Sequence, residues 1–293
     1  NNLNIELPSL DTQWKTSSKL LSSTSPITLQ WTNNANITFK IHFKIDDDYM
    51  LQIDQEIENN SIKTIEVFPY RLIKRINRPD TINFFILHEG LISLLNDELL
   101  EKDYDDLSDN CSSDQQNKDA FCDQKSTGGW LGFTDKYWMS ALIPDQNEPI
   151  NANYRHSNSN RDDFRVGYAG KVFSVKPNST LLYKGKVFAG AKVLKILNKY
   201  QEKHNIPRFS DAIDWGWFSF LTKPISFAIN WFYGYVGNFG LAIIAFTILM
   251  RLLLFPLAHT SFKSMAKMKK LQPEMQRLKE TYPDDRQKMQ QEL

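Results

Sequence analysis

Val236 to Leu257 reads VGNFGLAIIAFTILMRLLLFPL, and that stretch decides how the rest of the chain is read. Residues 224–250 contain no Asp, Glu, Lys or Arg. At a helical rise of about 1.5 Å per residue the quoted stretch reaches roughly 33 Å, enough to cross a hydrocarbon core of about 30 Å. Whole-chain averages conceal this. The 293 residues include 35 Lys and Arg against 34 Asp and Glu, and a mean hydropathy of −0.44 describes an ordinary soluble protein. Divided after Asp214, the first part holds 25 basic and 29 acidic residues, net −4, and the remainder 10 basic and 5 acidic, net +5. The chain reads as an acidic soluble domain attached to a membrane segment with a basic tail. Its near-neutral balance argues against nucleic-acid sequence recognition, which normally shows a clear basic excess.

Within the span the informative residue is Arg251, about two-thirds of the way along. An arginine at mid-membrane costs about 2.5–3.5 kcal/mol on insertion scales. Two readings stay open: the side chain snorkels toward the nearer surface, or it lines a water-filled cavity inside the membrane. Thr247 lies one helical turn earlier on the same face and extends a polar stripe. After the span come Lys263, Lys267, Lys269, Lys270, Arg277 and Lys279, so the excess of positive charge puts Thr260 onward in the cytoplasm and residues 1–210 outside. Phe262, Met265, Met268, Leu271 and Met275 recur every three or four residues as a helical stripe. That stripe packs on a partner helix or serves as an adaptable binding face. Tyr282-Pro283-Asp284-Asp285 is expected to break the helix and start a second one, so that residues 260–293 begin a helical hairpin.

Ahead of the span, Asp211 to Tyr233 is rich in Trp and Phe but interrupted by Lys223, Pro224 and Asn230. This suits an amphipathic helix lying in the headgroup region over residues 209–234, the alternative being the first half of one long spanning helix. Gly234, Gly237 and Gly240 favour a break before the span at 236–258.

Residues 1–208 read as β. Asn36 to Ile45 alternates strictly, with Ile37, Phe39, Ile41, Phe43 and Ile45 on one face. Tyr49 to Ile57 repeats the pattern after a turn at Asp46-Asp47-Asp48. Further strands are expected at Ile62–Phe68, Thr81–His88, Lys136–Ile143, Phe164–Tyr168, Lys171–Val175 and Thr180–Phe188, and a helix over 190–205 ended by Pro207. Residues 96–126 stand apart as an acidic mobile loop: Asn96–Asp123 alone carries ten acidic residues and two lysines, too little apolar surface to offset ordering. Asp103, Asp105 and Asp109 are spaced vaguely like a calcium loop but lack its central Gly and closing Glu. Cys111 and Cys122 pair if the domain faces an oxidising compartment and stay free otherwise. No histidine pair, Gly-rich phosphate loop or nucleophile-base motif occurs, so no metal, cofactor or catalytic residue is nominated. The start of the chain lacks both a basic leader and an apolar run, which suggests a piece of a longer protein.

VGNFGLAIIAFTILMRLLLFPL and SFKSMAKMKKLQPEMQRLKE (Val236–Leu257, Ser261–Glu280) together resemble the second transmembrane helix and the first part of the cytoplasmic hairpin of the YidC/Oxa/Alb membrane protein insertases. GGWLGFTDKYWMSALIPD (Gly128–Asp145) and the Asp214-Trp215-Gly216-Trp217 junction resemble the periplasmic domain of the Gram-negative members. The resemblance implies an all-β periplasmic supersandwich, an interfacial helix, one transmembrane helix of a multi-pass inner-membrane protein, and part of a cytoplasmic hairpin. It implies an insertase and chaperone without enzymatic catalysis, whose partners are nascent inner-membrane proteins, the Sec translocon, the ribosome and the bilayer. It also implies that Arg251, with Thr247 beside the substrate path, faces a hydrophilic groove. The family's first transmembrane helix and the later ones are not in this sequence, and the 96–126 segment has no counterpart in the pattern. Two competing readings are a membrane-anchored periplasmic carbohydrate-binding or sugar-modifying protein, with Trp130, Tyr137 and Trp138 as stacking groups, and a simple tether, which gains nothing from an arginine in the span.

Overall fold

A computed structural model of the protein describes residues 5–81, 87–112, 119–158, 161–216 and 218–281, with side chains to Pro273. The chain divides into two units, residues 1–216 and 217–293.

The first unit is two large antiparallel sheets with a two-stranded ladder. The larger sheet has ten strands. Its hairpin Ile37–Ile45 and Met50–Asn59 pairs in register from Ile45↔Leu51 to Ile37↔Asn59. The turn is closed by Asp46, whose Oδ1 accepts from the N–H groups of Asp48 (3.1 Å) and Met50 (3.0 Å). The centre of this sheet is built from Gly185–Ala191, Trp138–Pro144, Trp130–Thr134 and Gly90–Leu95, followed by Glu98–Lys102. The second sheet has four strands in the order Tyr70–Ile76, Asp163–Gly170, Pro149–Ser157 and Asp123–Thr127. Phe173–Val175 pairs with Ile65–Val67 as the short ladder.

One core lies between the two sheets, where Leu91, Leu131 and Phe133 meet Tyr154, Phe164 and Tyr168. A second lies on the outer face of the larger sheet, under helix α2 (Leu194–His204) and a short 3-10 turn at Phe209–Ala212. Trp130 is fully buried there: its Nε1 donates to Pro207 O (3.0 Å) and its ring meets Phe209 edge-on at 5.4 Å.

Several sequence expectations need correction. Residues 96–126 are not one loop. Glu98–Lys102 is a strand and Tyr104–Asn110 is a helix, α1, within this range. Tyr104, Leu107 and Cys111 fall at i, i+3 and i+7, so a single buried stripe holds an otherwise acidic helix against the inter-sheet core. Cys111 and Cys122 are joined as a disulfide, with Cα atoms 5.6 Å apart. The acidic residues that suggested calcium have other work: Asp103 caps α1 by accepting from Asp106 N (2.8 Å), and Asp105 pairs with Arg78. Gly90–Leu95 is a strand that the sequence reading missed. The helix expected from residue 190 starts at Leu194, because Gly190 and Ala191 are still paired with Met139 and Trp138. It ends at Asn205 in the left-handed conformation, two residues before Pro207. The expected strand Thr180–Phe188 divides at Lys184 into two, and Ile62–Phe68 contracts to Ile65–Val67. Most of the strand expected at Thr81–His88, and the break expected at Tyr282–Asp285, lie outside the described residues.

The second unit is two helices, α3 (Ser219–Val236) and α4 (Phe239–Thr281). No residue of α3 is buried, and Trp231 is 59% exposed. In water such a surface would be driven to bury itself; at a membrane boundary it is already in its preferred solvent.

Candidate functional site

The local sequence fixes where α3 stops and α4 starts. Gly237 takes φ +68°, a left-handed conformation that L side chains resist, and its N–H donates to Tyr233 O at 2.8 Å. Asn238 then caps α4, its Oδ1 accepting from Leu241 N at 3.2 Å. Tyr233 and Phe239, one on each helix, bring their rings to 5.9 Å.

α4 runs 43 residues without a break, passing through Pro256 and Pro273. The span and the start of the expected hairpin are therefore one continuous helix. Its stretch Phe239–Pro273 is long and apolar enough to cross a membrane. Arg251 stands about 18 Å along the axis from Phe239, with Thr247 one turn before it. The Thr247 hydroxyl donates to Ile243 O (2.7 Å), which satisfies its proton and leaves an oxygen lone pair free. Arg251 is exposed. So are Leu252, at 68%, and Leu253, Leu254 and Phe255 after it. The described residues bring no second charged group to Arg251.

One contributor escaped the sequence reading. Pro256 has no N–H, so the carbonyl of Leu252, four residues earlier, loses its helical donor. That carbonyl adds a hydrogen-bond acceptor directly beside Arg251 in the chain, inside the same apolar stretch. The signal was present as a proline four positions after a leucine. Thr260 repeats the Thr247 device one turn beyond Pro256, donating to Pro256 O at 2.9 Å.

The stacking groups of the sugar-binding alternative are not brought together as a site. Trp130 is sealed in the core under α2, while Tyr137 and Trp138 are exposed. Among the described residues no three His, Cys, Asp or Glu side chains are grouped so as to hold a metal ion.

A two-sheet β domain followed by an exposed aromatic helix and a long apolar helix with one internal arginine defines a membrane protein with a large folded domain outside the bilayer. The model of the YidC periplasmic domain matches residues 1–228, and that of the 60Kd inner membrane protein matches residues 231–293. The chain belongs to the YidC family of membrane protein insertases. It is 40% identical over 291 residues to the membrane protein insertase YidC of Granulibacter bethesdensis, covering 99% of this chain and 50% of that protein. The YidC of Rickettsia prowazekii is 40% identical over 296 residues, covering 100% of this chain and 51% of its own length. The chain thus spans about half the length of these curated relatives. Among solved structures, a galactose mutarotase related enzyme from Lactobacillus acidophilus matches with 7% identity and a TM-score of 0.41, over 61% of this chain and 71% of that one. A likeness of that degree supports no statement about this chain.

Proposed function

We propose that this chain is the periplasmic domain and one membrane-embedded part of an insertase that places and folds inner-membrane proteins, alone or together with the Sec translocon. In this reading Arg251 and Thr247 line a hydrophilic groove within a multi-pass protein, and residues from Thr260 onward lie in the cytoplasm within reach of the ribosome. The observation that carries it is a single arginine part-way down an otherwise uncharged span, beside a threonine hydroxyl and a proline-freed carbonyl. Three polar groups on or next to one turn are expensive against lipid tails and favourable against water. A groove of that kind lowers the barrier for the polar tail of a nascent protein, since part of its hydration is replaced before it leaves the membrane. Attraction between Arg251 and an acidic tail is strengthened by the low dielectric around it. No bond is made or broken, so the protein works without catalytic residues, cofactor or metal.

The experiment is substitution of Arg251 in the full-length protein, with insertion of several substrates measured at equal protein levels. Arg251→Lys is expected to keep most activity and Arg251→Ala to lose it, most of all for substrates with acidic translocated tails. Normal insertion of every substrate by Arg251→Ala would leave the arginine as a surface anchor that snorkels.

A further inference from the structure

One end of the larger sheet carries aromatic side chains that neither the core nor the membrane groove uses. Strands 130–134 and 138–144 are joined by a two-residue turn, Lys136-Tyr137, closed by Asp135 N donating to Trp138 O at 2.8 Å. Neither Lys136 nor Tyr137 takes a positive φ, so the turn admits most residues and does not itself account for these two at its tip. Tyr137 is 64% exposed and Trp138 57%, and Val193 on the adjoining loop is exposed as well. That loop is held to the turn by Lys192 N, which donates to Tyr137 O at 2.8 Å.

The polar ends of both rings are unused. Among the described residues the Trp138 indole N–H and the Tyr137 hydroxyl have no hydrogen-bond partner. The Trp138 ring meets that of Tyr49 edge-on at 6.4 Å, and Lys136 Nζ lies 5.0 Å from the centre of the Tyr137 ring. Nearby carboxylates have protein partners: Asp135 pairs with Arg75 at 2.8 Å, Asp48 with Lys199 at 2.7 Å, and Glu89 accepts from Lys136 N at 3.3 Å. Charges of both signs stay exposed, Lys136 and Asp47 among them, so the tip is not an electrostatic anchor.

The chain leaves the outer unit from this same end. Gly90 pairs with Thr134 at the foot of the turn, and two residues earlier His88 N donates to Asp214 Oδ2 at 3.2 Å. The unit ends two residues after Asp214, at Gly216, and the aromatic helix α3 and the apolar span follow. Exposed Tyr and Trp, each with an apolar ring body and an unused polar tip, suit a membrane–water boundary, where the ring leaves water and the N–H or O–H meets headgroup oxygens. We infer that this tip is a lipid-contacting surface of the outer unit. Tyr137, Trp138 and Val193 enter the headgroup region of a zwitterionic bilayer, and Lys136 extends back to the phosphates. A protein partner would also cover the rings, but the chain passes to its membrane segment from this very end, and that selects lipid. The inference needs the span to lie in the membrane and is independent of Arg251 and of the groove.

The test uses the whole chain in phosphatidylcholine nanodiscs, with and without lipid carrying a nitroxide on its headgroup. Cys111 and Cys122 are bridged and no cysteine is free, so one introduced cysteine takes a fluorophore without reduction. Lys136→Cys puts the label on the tip with Tyr137 and Trp138 retained. Ile62→Cys is the reference, 92% exposed and beyond the far end of strand 50–59, which spans roughly 30 Å. Leu252→Cys, read with an acyl-chain nitroxide, reports the span itself. Headgroup nitroxide is expected to dim the Lys136 label about twofold or more and the Ile62 label by less than about a tenth, and aqueous iodide to do the reverse. Adding Tyr137→Ser, and then Trp138→Ser with it, is expected to return most of the lost brightness in two steps. A Lys136 label that nitroxide lipid does not dim, beside a dimmed Leu252 label, overturns the proposal. So does dimming that both serine variants leave unchanged, because the tether alone then accounts for it. If the Lys136 label is shielded from iodide but not dimmed by nitroxide lipid, protein covers the rings and the lipid assignment fails. An undimmed Leu252 label removes the membrane placement, and this proposal with it.

Discussion

Strands 90–95 and 130–134 bury every one of their residues, whereas helix α3 buries none, and one physical rule accounts for both. Apolar surface leaves water wherever it can. In the outer unit the only alternative to water is more protein, so the central strands of the larger sheet are covered on one face by the second sheet and on the other by α2 and Phe209. In the helical pair the apolar side chains are directed outward, because lipid itself is the apolar phase. Trp130, fully buried, and Trp231, more than half exposed, are the same residue answering two solvents.

That contrast can be broken most forcefully at the two tryptophans. Trp130→Ala removes a fully buried ring together with its hydrogen bond to Pro207 O. It is expected to destabilise the outer unit by about 3–5 kcal/mol. Trp231→Ala is expected to leave the unfolding of the outer unit unchanged when both are followed by near-ultraviolet circular dichroism during heating. A similar loss from both substitutions would mean that Trp231 is packed against protein.

The next largest effect belongs to the lipid-facing side. Leu252→Asp exchanges a residue that favours the bilayer for one that opposes it, and is expected to disfavour insertion of the helix by about 3 kcal/mol. The inserted fraction in a translocon insertion assay measures this, and the melting of the outer unit should not move. Undiminished insertion would show that this face of α4 meets water rather than lipid.

The smallest of the three effects sharpens the picture of the outer unit alone. Replacing both Cys111 and Cys122 by Ser opens a short closed loop, with an expected loss of about 2–3 kcal/mol. The measurement is thermal unfolding of the double variant beside the unsubstituted chain, oxidised and reduced. Reduction should shift the unsubstituted chain and leave the variant where it is. If reduction has no effect on either, packing of Tyr104 and Leu107 holds α1 without the bridge.

Some of this was legible in the residues and some was not, for identifiable reasons. The hairpin of strands 37–45 and 50–59 was readable because apolar and polar side chains alternate along it with the period of a strand, although burial itself does not follow that alternation strictly. Gly90–Leu95 (GLISLL) was not, because a strand covered on both faces loses alternation and looks like any short apolar run. Residues 96–126 misled through composition: ten acidic residues outweigh Tyr104, Leu107 and Cys111 in any average, although their spacing is helical. Arg71 carried no signal at all. One arginine in an alternating edge strand is ordinary until Gly185, far along the chain, is found to leave room for its guanidinium.

By itself the sequence determined the apolar span, the place of Arg251 and Thr247 on one face of it, the aromatic segment before it and the β character of the outer domain. These follow from local periodicity and from the free energy of single side chains in water or lipid, and neither needs a partner. Only the tertiary structure decided that Trp130 is core, that Cys111 meets Cys122, that an acidic segment folds as a helix, and that Arg71 is buried against Gly185 and the Tyr183 ring. Each of these depends on which distant residues share a space, and burial is a property of that shared space rather than of any stretch of the chain.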